Sequence, residues 1–258
     1  MSNSLKQRLG KGDTITGIFC STPAPLMIEL IAAADFDFVI IDLEHTLIEG
    51  QQLEAMILAA RSNGLSVLVR LPENALYRSV QLLDAGAEGL VFPRVSTVQQ
   101  AEQAVYQCRY GTRGARGLNS TRDNHYGRDN LADYVSEANS QLLLIMMIED
   151  RTGVQAADQI AAVDGVDMLL PGAADLSQSF NFPWQTSHPE VQAAIEQIHT
   201  ICQRRQKGFC ALPRNQQEQQ AWLEQGVQCF VAGDDRGICR RALTAVVNDF
   251  KEMVKKHV

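Results

Sequence analysis

Leu142-Leu143-Leu144-Ile145-Met146-Met147-Ile148 is an unbroken apolar run, closed by the acidic pair Glu149-Asp150. A strand with one wet face alternates apolar and polar residues. A run without alternation is what a strand covered on both faces of a parallel sheet requires. The same signature recurs along the chain. Thr14 to Phe19, Phe38-Val39-Ile40-Ile41-Asp42, Ser66-Val67-Leu68-Val69-Arg70 and Gly89 to Pro93 precede the quoted run, and Asp167 to Leu170, Gly208 to Ala211 and Gln228 to Val231 follow it. Helical patterns separate the early strands: Leu26 to Ala34, Gly50 to Ser62, Ala75 to Ala85 and Thr97 to Cys108. Gly111 to Asn130 reads as a longer irregular segment, and Ile238 to Lys256 as a long C-terminal helix. The cations Lys251, Lys255, Lys256 and His257 suit the negative end of that helix dipole. Eight such strands predict a closed (β/α)₈ TIM barrel formed by residues 1–258 as one domain. An open doubly wound sheet is the rival, but no GxGxxG follows any strand.

Composition narrows the function. The 258 residues carry 30 acidic and 23 basic side chains, a net charge of −7, with 45% apolar residues. That balance argues against nucleic acid, whose phosphates need a basic stripe. No apolar run is long enough for a membrane span, and the polar start MSNSLKQRLGKGD is no signal peptide. The six cysteines are scattered without metal-binding spacing and read as buried thiols. A cytoplasmic globular protein is expected.

In such a barrel the chemistry sits at the C-terminal ends of the strands. Those positions hold Asp42-Leu43-Glu44-His45, Arg70, Glu149-Asp150, Pro171 to Asp175 and Leu212. A lone arginine ending a strand is more often an ion-pair residue, and a histidine after a carboxylate more often a satisfied loop residue. Convergence of His45, Arg70, Glu149 and Asp175 on one mouth shifts that balance. Carboxylates without cysteine suit a hard divalent cation such as Mg²⁺ or Mn²⁺. An arginine there stabilises a developing enolate oxygen, and a histidine moves a proton near neutral pH. Those are the parts that enolise a 2-oxo acid and make or break a carbon–carbon bond. No lysine ends a strand, which disfavours a Schiff-base aldolase.

Phe36 to His45, with its D-x-E-H segment, resembles the HpcH/HpaI class II aldolase family. So do Val69-Arg70, Leu83-Asp84-Ala85-Gly86-Ala87, Ile148-Glu149, Ala174-Asp175-Leu176-Ser177 and Ser187-His188-Pro189-Glu190. The segments follow the family's order across essentially the whole chain. The resemblance implies a homohexamer of barrels (paired trimers) using Mg²⁺, Mn²⁺ or Co²⁺ and pyruvate-type chemistry. It implies Glu149 and Asp175 as metal ligands, Arg70 as the enolate-stabilising group and His45 as the proton carrier. Asp42 and Asp84 are then the residues that orient the histidine, and backbone near Ala174, Asp175 and Leu212 holds the 2-oxo acid carboxylate.

The chain also departs from the family pattern. Met147 stands where a glutamine is usual, Thr46 where a small residue follows the histidine, and the loop Arg113 to Arg122 places its arginines differently. A thioether cannot donate the glutamine's hydrogen bond. Together with Arg94, Arg116 and Arg122, this keeps a second reading open. On the first reading the enzyme makes or cleaves 4-hydroxy-2-oxo acids to pyruvate, or a related 2-oxo acid, plus an aldehyde. On the second, Arg94, Arg116 or Arg122 binds the extra carboxylate of oxaloacetate, and the enzyme is a citrate synthase that uses acetyl-CoA in siderophore biosynthesis. A non-catalytic binding barrel is a third reading, disfavoured because folding requires none of His45, Arg70, Glu149 and Asp175.

Overall fold

The computed structural model describes residues 4–128 and 130–256. Helix α1 (Leu5–Gly10) precedes the alternating units. These run β1 (Ile15–Cys20), α2 (Pro25–Ala33), β2 (Phe38–Asp42), α3 (Gly50–Ser62), β3 (Ser66–Arg70), α4 (Ser79–Asp84), β4 (Gly89–Phe92) and α5 (Val98–Cys108). After them come α6 (Leu131–Gln141), β5 (Leu143–Ile148), α7 (Arg151–Ala162), β6 (Met168–Pro171), α8 (Ala173–Ser179) and α9 (Pro189–Arg205). The chain ends with β7 (Gly208–Ala211), α10 (Gln216–Glu224), β8 (Cys229–Asp234) and α11 (Asp235–Lys255).

The strands close on themselves in sequence order, β1 to β8, and β8 pairs in parallel with β1. This is the expected (β/α)₈ barrel. Its continuously apolar strands serve two cores at once. Phe38, Ile40, Leu68, Ile145, Met147 and Leu170 fill the barrel interior. Their neighbours Val39, Ile41, Val67, Leu144, Met146 and Leu169 face the helices. Gly17 makes room for that interior, since a Cβ there would lie 2.2 Å from the Phe38 ring.

Three sequence expectations need adjustment. The segment after Cys108 is not irregular throughout. It follows α5, and so approaches β5 from the N-terminal end of the barrel, through two short 3₁₀ turns and α6. Helix α6 has no buried residue, so no apolar stripe announced it. Helix α11 starts three residues before the expected Ile238, capped by the Asp234 carboxylate, which accepts from the Gly237 N–H. His257 lies outside the described residues. Beyond its buried first residue Asp235, α11 leaves Leu243, Val246, Val247 and Phe250 exposed. Among the described residues, no helix is long and apolar enough to cross a membrane.

Candidate active site

Parallel pairing sets the mouth. Asp42 and Arg70 are the last residues of neighbouring strands and stand in register as Cα partners. Arg70 Nε donates to Asp42 Oδ1 at 2.9 Å, and its Nη1 lies 3.2 Å from Glu44 Oε2. The guanidinium also covers the Phe19 ring, 4.7 Å from its centroid, with Nη1 4.0 Å from Met147 Sδ. A planar fork held on two carboxylates and one ring has little freedom left, so Arg70 presents a fixed positive edge. Burial pushes the Asp42 carboxyl up, but the Arg70 hydrogen bond and charge outweigh it and the net shift is down.

Glu44 is the residue the sequence reading undervalued. It lies two positions beyond Asp42, in the bend that follows β2, where its own N–H donates to Asp42 Oδ1 at 3.0 Å. Its Oε2 contacts Arg70 and lies 3.8 Å from His45 Nε2. Burial raises its pKa; Arg70 and His45 oppose the rise, while Asp42 and Asp175 add to it. His45 itself is exposed at the rim.

Glu149 directly follows β5, with 5% of its surface exposed. Its Oε2 accepts the Arg94 N–H at 2.8 Å. Arg94 holds a left-handed backbone, φ +51°, to aim that N–H, a conformation costing about 1–2 kcal/mol for an L-residue. Behind Glu149, Gly172 leaves room for the carboxylate, as a Cβ there would sit 2.4 Å from Oε1. Burial raises the Glu149 pKa to about 7, with the Arg94 N–H opposing and the Glu44 and Asp175 charges reinforcing the rise. Asp175 lies in the first turn of α8, half-exposed, 3.6 Å from Arg94 Nη2. Arg94 Nη1 reaches Glu73 at 3.8 Å.

Glu44, Glu149 and Asp175 therefore crowd negative charge around one point beside Arg70. Among the described residues no three His, Cys, Asp or Glu side chains are arranged to enclose an ion alone. The donor set fits a divalent cation taken by Glu149 and Asp175, with the rest of its shell from non-protein oxygens. Bound positive charge there would offset the burial and the carboxylate repulsion that together raise Glu149.

Other expected site residues lie elsewhere. Asp84 is the last residue of α4, which descends from the mouth toward the N-terminal end of the barrel. Its carboxylate accepts from Arg116 Nη2 at 2.8 Å. Within one chain it therefore cannot orient His45, and Arg116 cannot reach the mouth. Arg122 pairs with Glu54 of α3 at 3.0 Å, because its loop follows a helix rather than a strand. Of the three candidate carboxylate-binding arginines, only Arg94 stands at the mouth. Ala174 lies beside Asp175 in α8, and Leu212 follows β7, packed against the interior core. Asp150 caps α7, accepting from Gly153 N at 2.6 Å. His188 starts α9 by accepting from Glu190 N at 3.3 Å, so the His188-Pro189-Glu190 segment is a helix start.

Known proteins share this frame. The 5-keto-4-deoxy-D-glucarate aldolase of Klebsiella pneumoniae is 31% identical over 251 residues, 97% of each chain. The hydroxypyruvate/pyruvate aldolase of Roseobacter denitrificans is 34% identical over 193 residues, 75% of each. The crystal structure of the citrate synthase SbnG superposes with a TM-score of 0.91 at 41% identity, covering 98% of this chain and 99% of that one. Residues 16–242 match one family description, and that span runs from β1 into α11 and takes in every mouth residue named above. The chain thus belongs to the HpcH/HpaI aldolase/citrate lyase family of enzymes.

Proposed function

We propose that this enzyme makes and cleaves 4-hydroxy-2-oxo acids, releasing pyruvate or a related 2-oxo acid and an aldehyde. The observation that carries this is Arg70, braced by Asp42 and Glu44, facing the Glu149–Asp175 pair across one mouth. No described strand ends in a lysine that could form a Schiff base. The two aldolase relatives support the same chemistry.

Glu149 and Asp175 would hold a divalent cation, Mg²⁺, Mn²⁺ or Co²⁺. Such a cation polarises the 2-oxo group as a Lewis acid. In cleavage, His45 takes the proton from the 4-hydroxyl as the bond between C3 and C4 breaks and the aldehyde leaves. Arg70 stabilises the enolate oxygen until C3 is protonated. Backbone N–H groups at Ala174 and Asp175, with Leu212 as an apolar wall, receive the substrate carboxylate. Asp42 fixes Arg70, and Glu44 takes over the part of orienting His45 that Asp84 cannot play within its own chain.

A citrate synthase reading is favoured by one pair of observations: 41% identity to SbnG along the whole chain, and Met147 rather than an amide beside Arg70. On that reading oxaloacetate is the electrophile, acetyl-CoA supplies the nucleophile, and Arg94 receives the second carboxylate. The two separate cleanly. With pyruvate and short aldehydes, Arg94→Ala is expected to keep turnover within a few-fold, because Glu149 is held by the Arg94 backbone rather than its side chain. Thiol release from acetyl-CoA with oxaloacetate, abolished by Arg94→Ala, would establish the citrate synthase instead.

We propose further that the protein assembles as a homohexamer. Support comes from the apolar stripe of α11, which a lone barrel leaves in water. Native mass spectrometry should show six chains, and the double substitution Leu243→Asp with Phe250→Asp should shift the distribution to smaller species. A monomer in the unsubstituted protein would refute the assembly.

A further inference from the structure

Beneath the barrel, at the end away from the mouth, lies a cavity of about 440 Å³. Met168, Gly208 and Cys229 each begin a strand and line it, so it opens under the N-terminal ends of β6, β7 and β8. Helix α1 forms one side through Lys6 and Leu9, and the end of α9 forms the other. The size falls in the range of small-molecule pockets, which combine an apolar lining with a few convergent polar groups.

Beside the amides of Gln203, Gln206, Gln225 and Gln228, His199 and Lys207 line it with unused hydrogen-bonding capacity. His199 is 5% exposed and packs between aromatic rings, with centroids 4.9 Å from Phe209 and 5.1 Å from Trp222. Its imidazole makes no hydrogen bond among the described residues, and its ring nitrogens are open to the cavity rather than sealed in the packing. Burial lowers its pKa, so it is the neutral ring, one donor and one acceptor, that faces the cavity. Lys207 donates to the Val166 carbonyl at 2.7 Å and has no carboxylate partner among the described residues. Lys6, in contrast, is matched by Asp167 at 2.7 Å. The cavity thus has an apolar floor of Leu9, Met168 and Phe209, one uncompensated ammonium, and one imidazole awaiting a partner.

We infer that this cavity is a second binding site, separate from the mouth, for a small organic acid with an apolar body. The anionic head sits on Lys207 with His199 hydrogen-bonded beside it, and the hydrocarbon lies on Met168 and Phe209. A charge-assisted hydrogen bond in a half-dry pocket is stronger than a neutral one, which gives the site its preference for an acid.

Trp222 reports on it, because its ring touches both His199 and Phe209. In a Trp184→Phe background Trp222 is the only tryptophan. Cyclohexanecarboxylate, which is transparent at the excitation wavelength, should then change Trp222 emission saturably, with excess pyruvate and Mg²⁺ present to occupy the mouth. Cyclohexanemethanol and acetate, lacking respectively the charge and the body, should bind about tenfold more weakly or worse. Lys207→Met should weaken the acid by a similar factor. If that variant does not fold, the acid-to-alcohol ratio on the unsubstituted lysine decides alone. Absence of a saturable change, equal binding of acid and alcohol, or displacement by pyruvate would each overturn the site.

Discussion

Replacing Glu149 by alanine is expected to abolish metal-dependent turnover while leaving the barrel folded. Glu149 is buried at the end of β5, and the two features that hold it, the Arg94 N–H and the space left by Gly172, belong to the backbone. Removing the carboxylate leaves one strong oxygen donor, Asp175, which is half-exposed and already faces Arg94. A hard cation that depends on two carboxylates should lose most of its affinity with one. The substitution also removes a buried acid whose pKa is raised by burial, so the fold has little to lose. Calorimetric titration with Mn²⁺ checks the claim without reference to turnover. Affinity equal to that of the unsubstituted enzyme would remove Glu149 from the ligand set.

His45→Ala is expected to lower kcat by roughly 10²–10⁴, the span usual for a general acid–base group. Its imidazole reaches the site from the rim, 3.8 Å from Glu44 and well exposed. Metal affinity should hardly change, because His45 belongs to the proton-transfer side of the mouth. A pH profile adds a second readout. Loss of His45 should remove the limb of kcat that belongs to the imidazole, whereas a merely structural loss would scale the whole profile. If kcat falls less than about tenfold with the profile intact, proton transfer belongs to another group.

The barrel was legible because its strands carry their burial in their composition. Leu143 to Ile148 is buried at every position, as a strand covered on both faces of a parallel sheet must be. Strand β8 was read short because its last residues, Ala232, Gly233 and Asp234, are not an apolar run; β1 pairing extends the strand through Asp234. The mouth was legible where it depends on strand ends: Asp42 and Arg70 are fixed by register, and Glu149 directly follows β5. It failed where it depends on which end of a helix a residue occupies. Asp84 matches a family segment and Arg122 stands in a loop that departs from the pattern, yet both fall in segments that run away from the mouth, and only the placement of α4 and of the loop after α5 shows it. Arg94 shows a subtler limit. Its side chain was visible as a cation, but the left-handed turn that presents its N–H to Glu149 has no sequence signature in a non-glycine residue.

The central claim is that the mouth enolises a 2-oxo acid with Arg70 bearing the developing charge, and proton exchange at the methyl group of pyruvate tests it most directly. In D₂O with Mn²⁺ or Mg²⁺ and no aldehyde, NMR should show enzyme-dependent loss of the methyl signal. The loss should stop on adding a chelator and fall steeply in Arg70→Ala. Pyruvate that keeps its protons in the metal-supplied enzyme, while oxaloacetate and acetyl-CoA release thiol, would contradict the account.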